Sequence, residues 1–168
     1  MSRRGWRLAG LLALVGPSVE AAPAPEVAVI VHPSNPRSDI SSADLVQILK
    51  MERQHWAAGG RIYVVLQESG TREKELVLKK LYRMTDAELK QDYLGKLYRG
   101  EIASFPRIAH SNAAARRLVS QAPNAISFID AASADATVKV LRIDGKKPGE
   151  PGYVLGSRPE MPEAVSTP

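Results

Sequence analysis

The sequence predicts a single α/β domain in which helices flank a layered, largely parallel sheet. Residues 27–31 (VAVIV) and 125–129 (AISFI) are short, almost wholly apolar runs, which are typical of strands covered on both faces. A third, β-branched run at residues 62–66 leads directly into a charged segment with an apolar stripe. Because strands alternate with helical segments along the chain, a parallel sheet between helices is the expected architecture.

The first residues have the organisation of an export signal. Arg3, Arg4 and Arg7 precede an apolar run at residues 8–15, and a small-residue cleavage site follows at residues 19–21. Such a run is well short of the ~20 residues that cross a bilayer. We therefore expect a signal peptide over 1–21, no retained membrane anchor and a periplasmic location. The paired arginines leave the Sec and twin-arginine routes both open.

Composition excludes several classes of site. The chain has no cysteine, which excludes disulfides, thiol catalysis and cysteine-based metal sites. His32, His55 and His110 are dispersed, so no metal site is expected. The formal charge of +5 is scattered, unlike the basic patch of a nucleic-acid-binding protein. We expect neither a cofactor nor a nucleic-acid partner, and a weak preference for small anions.

The first predicted helix begins after Ser41. Ser41 and Asp44 have the spacing of a capping box, and Leu45, Ile48 and Leu49 then supply an apolar stripe at helical spacing. A loop follows the helix and leads into the strand at 62–66.

Three further helices are predicted, beginning near Arg72, at Thr85 and at Ser111. Thr85 and Glu88 form a capping box, and Ser111 stands immediately before another helical pattern. Residues 138–143 (VKVLRI) alternate apolar and polar side chains, as expected for a strand at the edge of a sheet.

The flanks of the predicted domain are rich in small residues and proline. Residues 22–26 form an Ala/Pro spacer, and residues 145–168 contain five Pro and four Gly. We therefore predict a domain over residues 27–144, followed by a flexible tail in which residues 153–155 could dock.

The candidate functional residues lie between the strand at 62–66 and the next helix. Ser69, Gly70 and Thr71 form a small-residue turn, and Arg72 follows it. A glycine permits close approach of a ligand, and two hydroxyls and the N–H groups of a first helical turn bind anions. The turn therefore predicts an oxyanion site, with Arg72 as a cationic arm.

The same residues have a simpler interpretation. Ser69 or Thr71 could cap the helix while Gly70 serves the turn, since capping is the common use of these residues. Glu68 and Glu73 flank the turn and would repel a dianion. Ser69 is not expected to be a nucleophile, because no G-x-S-x-G elbow surrounds it.

Three blocks of the sequence, in this order and at this spacing, resemble a known family. They are a leucine–isoleucine helix followed by a tryptophan and a glycine (residues 40–59), the segment VVLQESGT (residues 64–71), and Val119 with PNAISFI (residues 123–129). Together they resemble the second lobe of the periplasmic phosphate-binding protein of the phosphate ABC transporter, and the small stand-alone domains grouped with it. The resemblance covers residues 28–143. It implies a single lobe of the type 2 periplasmic-binding-protein fold and a Ser-Gly-Thr turn that contacts phosphate.

The departures from the family concern binding strength. Val65 stands where the family has an arginine that grips phosphate. Met51, Asn124 and Ser127 stand where the family often has glycine. The family's first lobe has no counterpart in this length, so one lobe offers half of a ligand shell.

These observations predict a binding module without enzymatic activity. We expect weak binding of phosphate or a similar oxyanion at Ser69, Gly70, Thr71 and Arg72, with a link to phosphate ABC transport. A homodimer or an envelope or transporter protein could complete the site. The alternative is an accessory protein-interaction module of the cell envelope that keeps the fold without binding a ligand.

Overall fold

The computed structural model of the protein describes residues 26–156. The predicted signal peptide, most of the spacer and the last part of the predicted tail lie outside these residues. Along the chain the elements are β1 (Val27–Val31), β2 (Asp39–Ile40), α1 (Ser42–Leu49), β3 (Tyr63–Gln67), α2 (Arg72–Val77), a π-helical turn (Leu78–Tyr82), α3 (Asp86–Tyr98), β4 (Arg107–Ala109), α4 (Asn112–Gln121), β5 (Ala125–Asp130), a 3₁₀ turn (Ala131–Ser133), β6 (Lys139–Val140) and β7 (Arg142–Ile143).

The main sheet has five strands in the order β4-β3-β5-β1-β6. β3 is parallel to both β4 and β5, whereas β1 is antiparallel to β5 and β6. Four strands therefore share one direction and β1 alone opposes them. β2 and β7 form a small parallel sheet beside it. The prediction of a layered α/β domain with a largely parallel sheet is confirmed.

The core lies on both faces of this sheet, because successive residues of a strand point to opposite faces. Along β5, Ile126 and Phe128 belong to the larger apolar cluster, with residues of α1, α2 and α3. Ala125 and Ile129 belong to a second cluster, with Ala115 and Val119 of α4 on the other face. Two-sided burial explains the almost wholly apolar sequence of this strand.

The predicted helix starts at Ser41, Thr85 and Ser111 are confirmed. The Ser41 Oγ accepts from the Asp44 N–H at 3.0 Å, and the Ser111 Oγ accepts from the Ala114 N–H at 3.1 Å. Thr85 forms the reciprocal capping box predicted from the sequence. Each cap satisfies an N–H group that has no partner within its helix.

Three local features differ from the sequence-based prediction. The helix that begins at Arg72 widens into the π-helical turn and ends at Arg83, which has φ 52°. β4 was not predicted, because only one of its three side chains is buried. The strand predicted over 138–143 is two strands, since the N–H of the buried Leu141 bonds to the Val29 carbonyl and the chain then leaves the main sheet to pair with β2.

The segment after β7 packs against β1. Tyr153 and Leu155 are buried, the Tyr153 hydroxyl donates to the Val27 carbonyl at 2.9 Å, and the Val27 N–H donates to the Leu155 carbonyl at 3.3 Å. Burial raises the pKa of Tyr153, so the hydroxyl stays protonated and remains a donor. Because of these contacts the packed domain reaches at least Gly156 instead of ending at residue 144.

A stability prediction concerns Ser127, which is fully buried in β5 and whose hydroxyl has no hydrogen-bond partner within residues 26–156. We expect Ser127→Ala to raise the free energy of unfolding by about 1 kcal/mol, because it removes an unsatisfied hydroxyl and retains the Cβ. Urea unfolding would measure the change. The control is Ser120→Ala, whose hydroxyl donates to the Arg117 carbonyl at 2.9 Å. A less stable Ser127→Ala protein would contradict the prediction.

Candidate functional site

The predicted site lies at the edge of the sheet where three parallel strands end. The turn at residues 68–71 follows β3, Ser111 and Asn112 follow β4, and the 3₁₀ turn follows β5. In open α/β sheets, ligands bind outside the carboxyl ends of the strands. The fold therefore places Ser69, Gly70, Thr71 and Arg72 at the edge that this class of sheet uses for binding.

The turn itself is open to solvent. Gly70 has φ +82°, a left-handed conformation that favours glycine, and a Cβ placed there would meet no atom within 4 Å. Ser69, Gly70 and Arg72 are exposed and Thr71 is half-buried. The Thr71 N–H closes the turn by donating to the Glu68 carbonyl at 3.3 Å. The turn therefore faces space that a small ligand could enter.

Thr71 occupies the N-cap position of α2 without capping it. Its Oγ1 donates to the Glu68 carbonyl at 2.9 Å. The Thr71 side chain accepts no hydrogen bond from the N–H groups in the first turn of α2. The structure thus differs from the capping interpretation of Thr71. Thr71 therefore leaves the N–H groups of the first turn without a cap from its own side chain, and N–H groups at a helix start can bind an anion.

Ser69 does have a partner, the carboxylate of Asp86 at the start of α3. The Ser69 Oγ donates to Asp86 Oδ2 at 2.8 Å. Lys74 Nζ lies 2.7 Å from Asp86 Oδ1 and 3.4 Å from the Ser69 Oγ, and Lys90 Nζ lies 2.7 Å from Asp86 Oδ2. One carboxylate therefore engages a hydroxyl and two ammonium groups beside the turn.

These contacts determine the ionisation of Asp86. Partial burial raises its pKa, but hydrogen bonds from Lys74, Lys90 and Ser69 outweigh burial and hold the pKa well below its ordinary value. The carboxylate is therefore charged throughout the neutral range. Lys74 is buried, and a buried ammonium requires such a partner.

A concave space of about 340 Å³ adjoins this cluster. Its charged and hydroxyl-bearing lining residues are Glu68, Ser69, Lys74, Asp86 and Lys90. Its apolar part belongs to the strands, α3 and the segment before β4. The apolar lining includes Leu66, Leu89, Tyr93, Phe105, Pro106 and Ile108. The turn thus borders a concavity large enough for a small oxyanion.

The charges around the turn include the two carboxylates noted in the sequence. Glu68 Oε2 lies 3.2 Å from His110 Nδ1, and both side chains are exposed. Glu73 Oε1 accepts from Asn112 Nδ2 at 2.9 Å. Asn112 in turn accepts from the buried Gln67 at 2.8 Å. A dianion at the turn would therefore experience repulsion from two nearby carboxylates.

Val65 is buried in β3 and packs in the second apolar cluster. An apolar contact therefore stands where the resembled family has its phosphate-gripping arginine.

Within residues 26–156, no group of three or more potential metal-binding His, Asp or Glu side chains comes together. In the same range, no helix is long and apolar enough to cross a membrane.

Asp86 and Lys74 were not identified from the sequence. The turn and Asp86 are separated by 17 residues, and no local pattern connects them. The only sequence signal at Asp86 is its place directly after the capping Thr85, where an acidic residue is favoured by the helix dipole. Its role toward Ser69 depends on how α3 packs beside the turn.

Comparison with known proteins places this geometry in a fold. No protein-family model and no curated protein sequence matches the chain. Among solved structures, a phosphate ABC transporter substrate-binding protein of Clostridium perfringens with bound phosphate matches with a TM-score of 0.61 and 21% identity over 74% of this chain and 47% of that one.

Two further solved structures agree. An ABC-type phosphate transport receptor of Vibrio cholerae matches with a TM-score of 0.62 and 20% identity, over 75% of this chain and 49% of that one. PstS of Borrelia burgdorferi matches with a TM-score of 0.63 and 17% identity, over 79% of this chain and 55% of that one.

The chain has the fold of a single periplasmic-binding-protein lobe. It spans about half the length of the solved structures that it matches, as the type 2 single-lobe prediction requires. The resemblance inferred from the three sequence blocks is thereby confirmed at the level of the fold.

The low pKa of Asp86 gives a pH-dependent prediction. A carboxylate whose pKa is depressed on folding stabilises the protein above its unfolded pKa of about 4, and this contribution is lost as the pH falls further. We expect Asp86→Asn to lower the free energy of unfolding by about 2 kcal/mol at pH 6. The gap, meaning the difference in this free energy between Asp86→Asn and the unchanged protein, should narrow between pH 4 and pH 2.5.

Urea unfolding across this pH range measures the gap. The control is Asp39→Asn, because Asp39 makes an exposed ion pair with Arg142 at 3.4 Å, and exposed pairs contribute little. A gap for Asp86→Asn that stays constant down to pH 2.5 would contradict the assignment.

Proposed function

We propose that the chain is a periplasmic, non-enzymatic module of the substrate-binding-protein type, which binds phosphate or a related small oxyanion weakly. The site comprises Ser69, Gly70, Thr71 and Arg72. The observation that carries the proposal is the open turn at the carboxyl edge of the sheet, which leads into the first N–H groups of α2 and whose N-cap residue, Thr71, makes no side-chain hydrogen bond to them. Such N–H groups bind anions through the helix dipole and charge-assisted hydrogen bonds.

The structural neighbours support the choice of ligand class. Two are described by their role in phosphate transport, and one of these was solved with phosphate bound. The descriptions are of a substrate-binding protein and a receptor rather than enzymes, which supports a non-enzymatic role here. A link to phosphate ABC transport is part of the same proposal, as is the periplasmic location, for which the N-terminal sequence supplies the reason.

Binding is proposed to be weak for three physical reasons. Val65 contributes no charge where a cation would hold the ligand most strongly. The carboxylate of Asp86 already engages the Ser69 hydroxyl and Lys74, so an incoming oxyanion competes with it. A single lobe also leaves half of the ligand exposed to water, unless a second copy or an envelope or transporter protein covers it.

A second candidate function is an accessory interaction module of the envelope. The specific observation in its favour is that Asp86 satisfies the polar groups beside the turn without any ligand. Leu94 and Tyr98 add a second reason, because they lie one helical turn apart on α3 and are 43% and 83% exposed. Under this alternative, phosphate would not bind, and a partner captured from the envelope would be retained equally by the Ser69→Ala/Thr71→Ala protein.

Calorimetric titration of the mature protein with phosphate tests the first function. We expect saturable heat with a dissociation constant in the millimolar range, about −4 kcal/mol, and its loss in the Ser69→Ala/Thr71→Ala protein. Sulfate is the comparison ligand, and Ser120→Ala is the control for a hydroxyl removed elsewhere. Absence of heat at millimolar phosphate would reject the proposal.

The competition by Asp86 is separately testable. We expect Asp86→Asn to bind phosphate about tenfold more tightly, because the change removes one negative charge from the site and frees Lys74 to approach the ligand. The matched control is Asp92→Asn, since Asp92 is also paired with a lysine of α3, Lys96, at 2.7 Å. Equal affinities of Asp86→Asn and the unchanged protein would contradict competition.

A further inference from the structure

A second cavity lies at the opposite end of β3 from the Ser69 turn. Its volume is about 570 Å³, within the range of about 300–1,000 Å³ that small-molecule sites occupy. The start of β3, the segment before β4 and the end of α4 enclose it. The lining comprises Met51, Ala103, Ser104, Phe105, Pro106, Leu118, Ala122 and residues 61–65 and 107.

The cavity exists because the edge strand is shorter than its neighbour. β4 pairs with Val65, Leu66 and Gln67 of β3, whereas Tyr63 and Val64 pair with β5 alone. On its outer side, the first part of β3 therefore has no neighbouring strand among residues 26–156. The segment at 103–106, which precedes β4 and belongs to no strand, lines the cavity here.

The chemistry of the lining is one-sided. Apolar residues form most of the wall, and the charged residues that line it are Arg61 and Arg107. None of the described lining residues is acidic. No carboxylate within residues 26–156 forms an ion pair with Arg61 or Arg107. An apolar cavity with two unpaired cations at its walls is complementary to an amphipathic anion.

Two features of the cavity wall are unfavourable for the stability of an isolated domain. Tyr63 and Phe105 are 56% and 48% exposed, so large aromatic surfaces face water beside the cavity. Met51 adopts φ 59°, a left-handed conformation that is unfavourable for a residue with a side chain. Strained residues of this kind concentrate at functional sites. Met51, the residue with this conformation, contributes a flexible thioether side chain to the cavity wall.

We propose that this cavity binds an amphipathic monoanion, with a carboxylate or sulfonate group at Arg61 and Arg107. The apolar chain or ring of the ligand contacts Val65, Phe105 and Leu118. The cavity shares Phe105 and Pro106 with the concave space beside the turn, but the five residues of β3 from Tyr63 to Gln67 place the two ends of the strand roughly 13 Å apart. The proposal therefore holds whether or not phosphate binds at Ser69.

Decanoate is the probe, with acetate supplying the head group alone and 1-octanol an apolar chain without charge. Calorimetric titration of the mature protein is expected to show one decanoate per chain, and at least about tenfold weaker binding of acetate and octanol. Arg61→Gln/Arg107→Gln should weaken decanoate binding about tenfold or more, because it removes both charge-assisted contacts. Ala122→Phe should abolish binding by filling the cavity.

The matched control is Arg117→Gln, an exposed arginine of α4 outside the cavity, which should leave the decanoate affinity unchanged. Phosphate titration of each folded variant separates this proposal from the oxyanion site. Unchanged decanoate binding by Arg61→Gln/Arg107→Gln would overturn the proposal. The proposal would also be overturned if the protein sedimented with phosphatidylglycerol vesicles but showed no saturable binding of decanoate. That result would mean that the apolar surface around the cavity contacts a membrane instead of a single small ligand.

Discussion

The interaction on which the site depends is the ion pair between Lys74 and Asp86. It joins α2 to α3 beneath the turn, and the Ser69 hydroxyl bonds to the same carboxylate. Because Lys74 is buried, loss of its partner would leave an uncompensated charge, which is strongly destabilising in proteins. The contact that holds the turn in place therefore also competes with any anion that approaches it.

The ion pair sets the competition between the internal contacts of the site and contacts with a ligand. A binding protein with two lobes surrounds its ligand and can compensate for displaced internal contacts. This chain spans about half the length of the solved structures that it matches, and Val65 packs in an apolar cluster and adds no charge. Its turn is open and borders a concave space, while the carboxylates of Glu68, Glu73 and Asp86 favour the unliganded state. A covering partner would change that balance by excluding water and adding donors.

The sequence predicted those features that local patterns determine. The caps at Ser41, Thr85 and Ser111 were found because their partners lie three residues away, and the two-faced burial of β1 and β5 was evident from their apolar runs. Local patterns contain no information on strand direction, so the antiparallel placement of β1 was not foreseen. Asp86 was missed for the same reason, since its contact with Ser69 depends on the packing of α3 against the turn.

The most direct test of the central claim is a site-resolved titration of the mature protein with phosphate, followed by amide chemical shifts in ¹⁵N NMR spectra. If phosphate binds at the open turn, the amide signals of Gly70, Thr71, Arg72 and Glu73 should move together and saturate, while those of residues 61–65 remain in place. Shifts confined to another part of the chain, or none at millimolar phosphate, would contradict an oxyanion site at this turn.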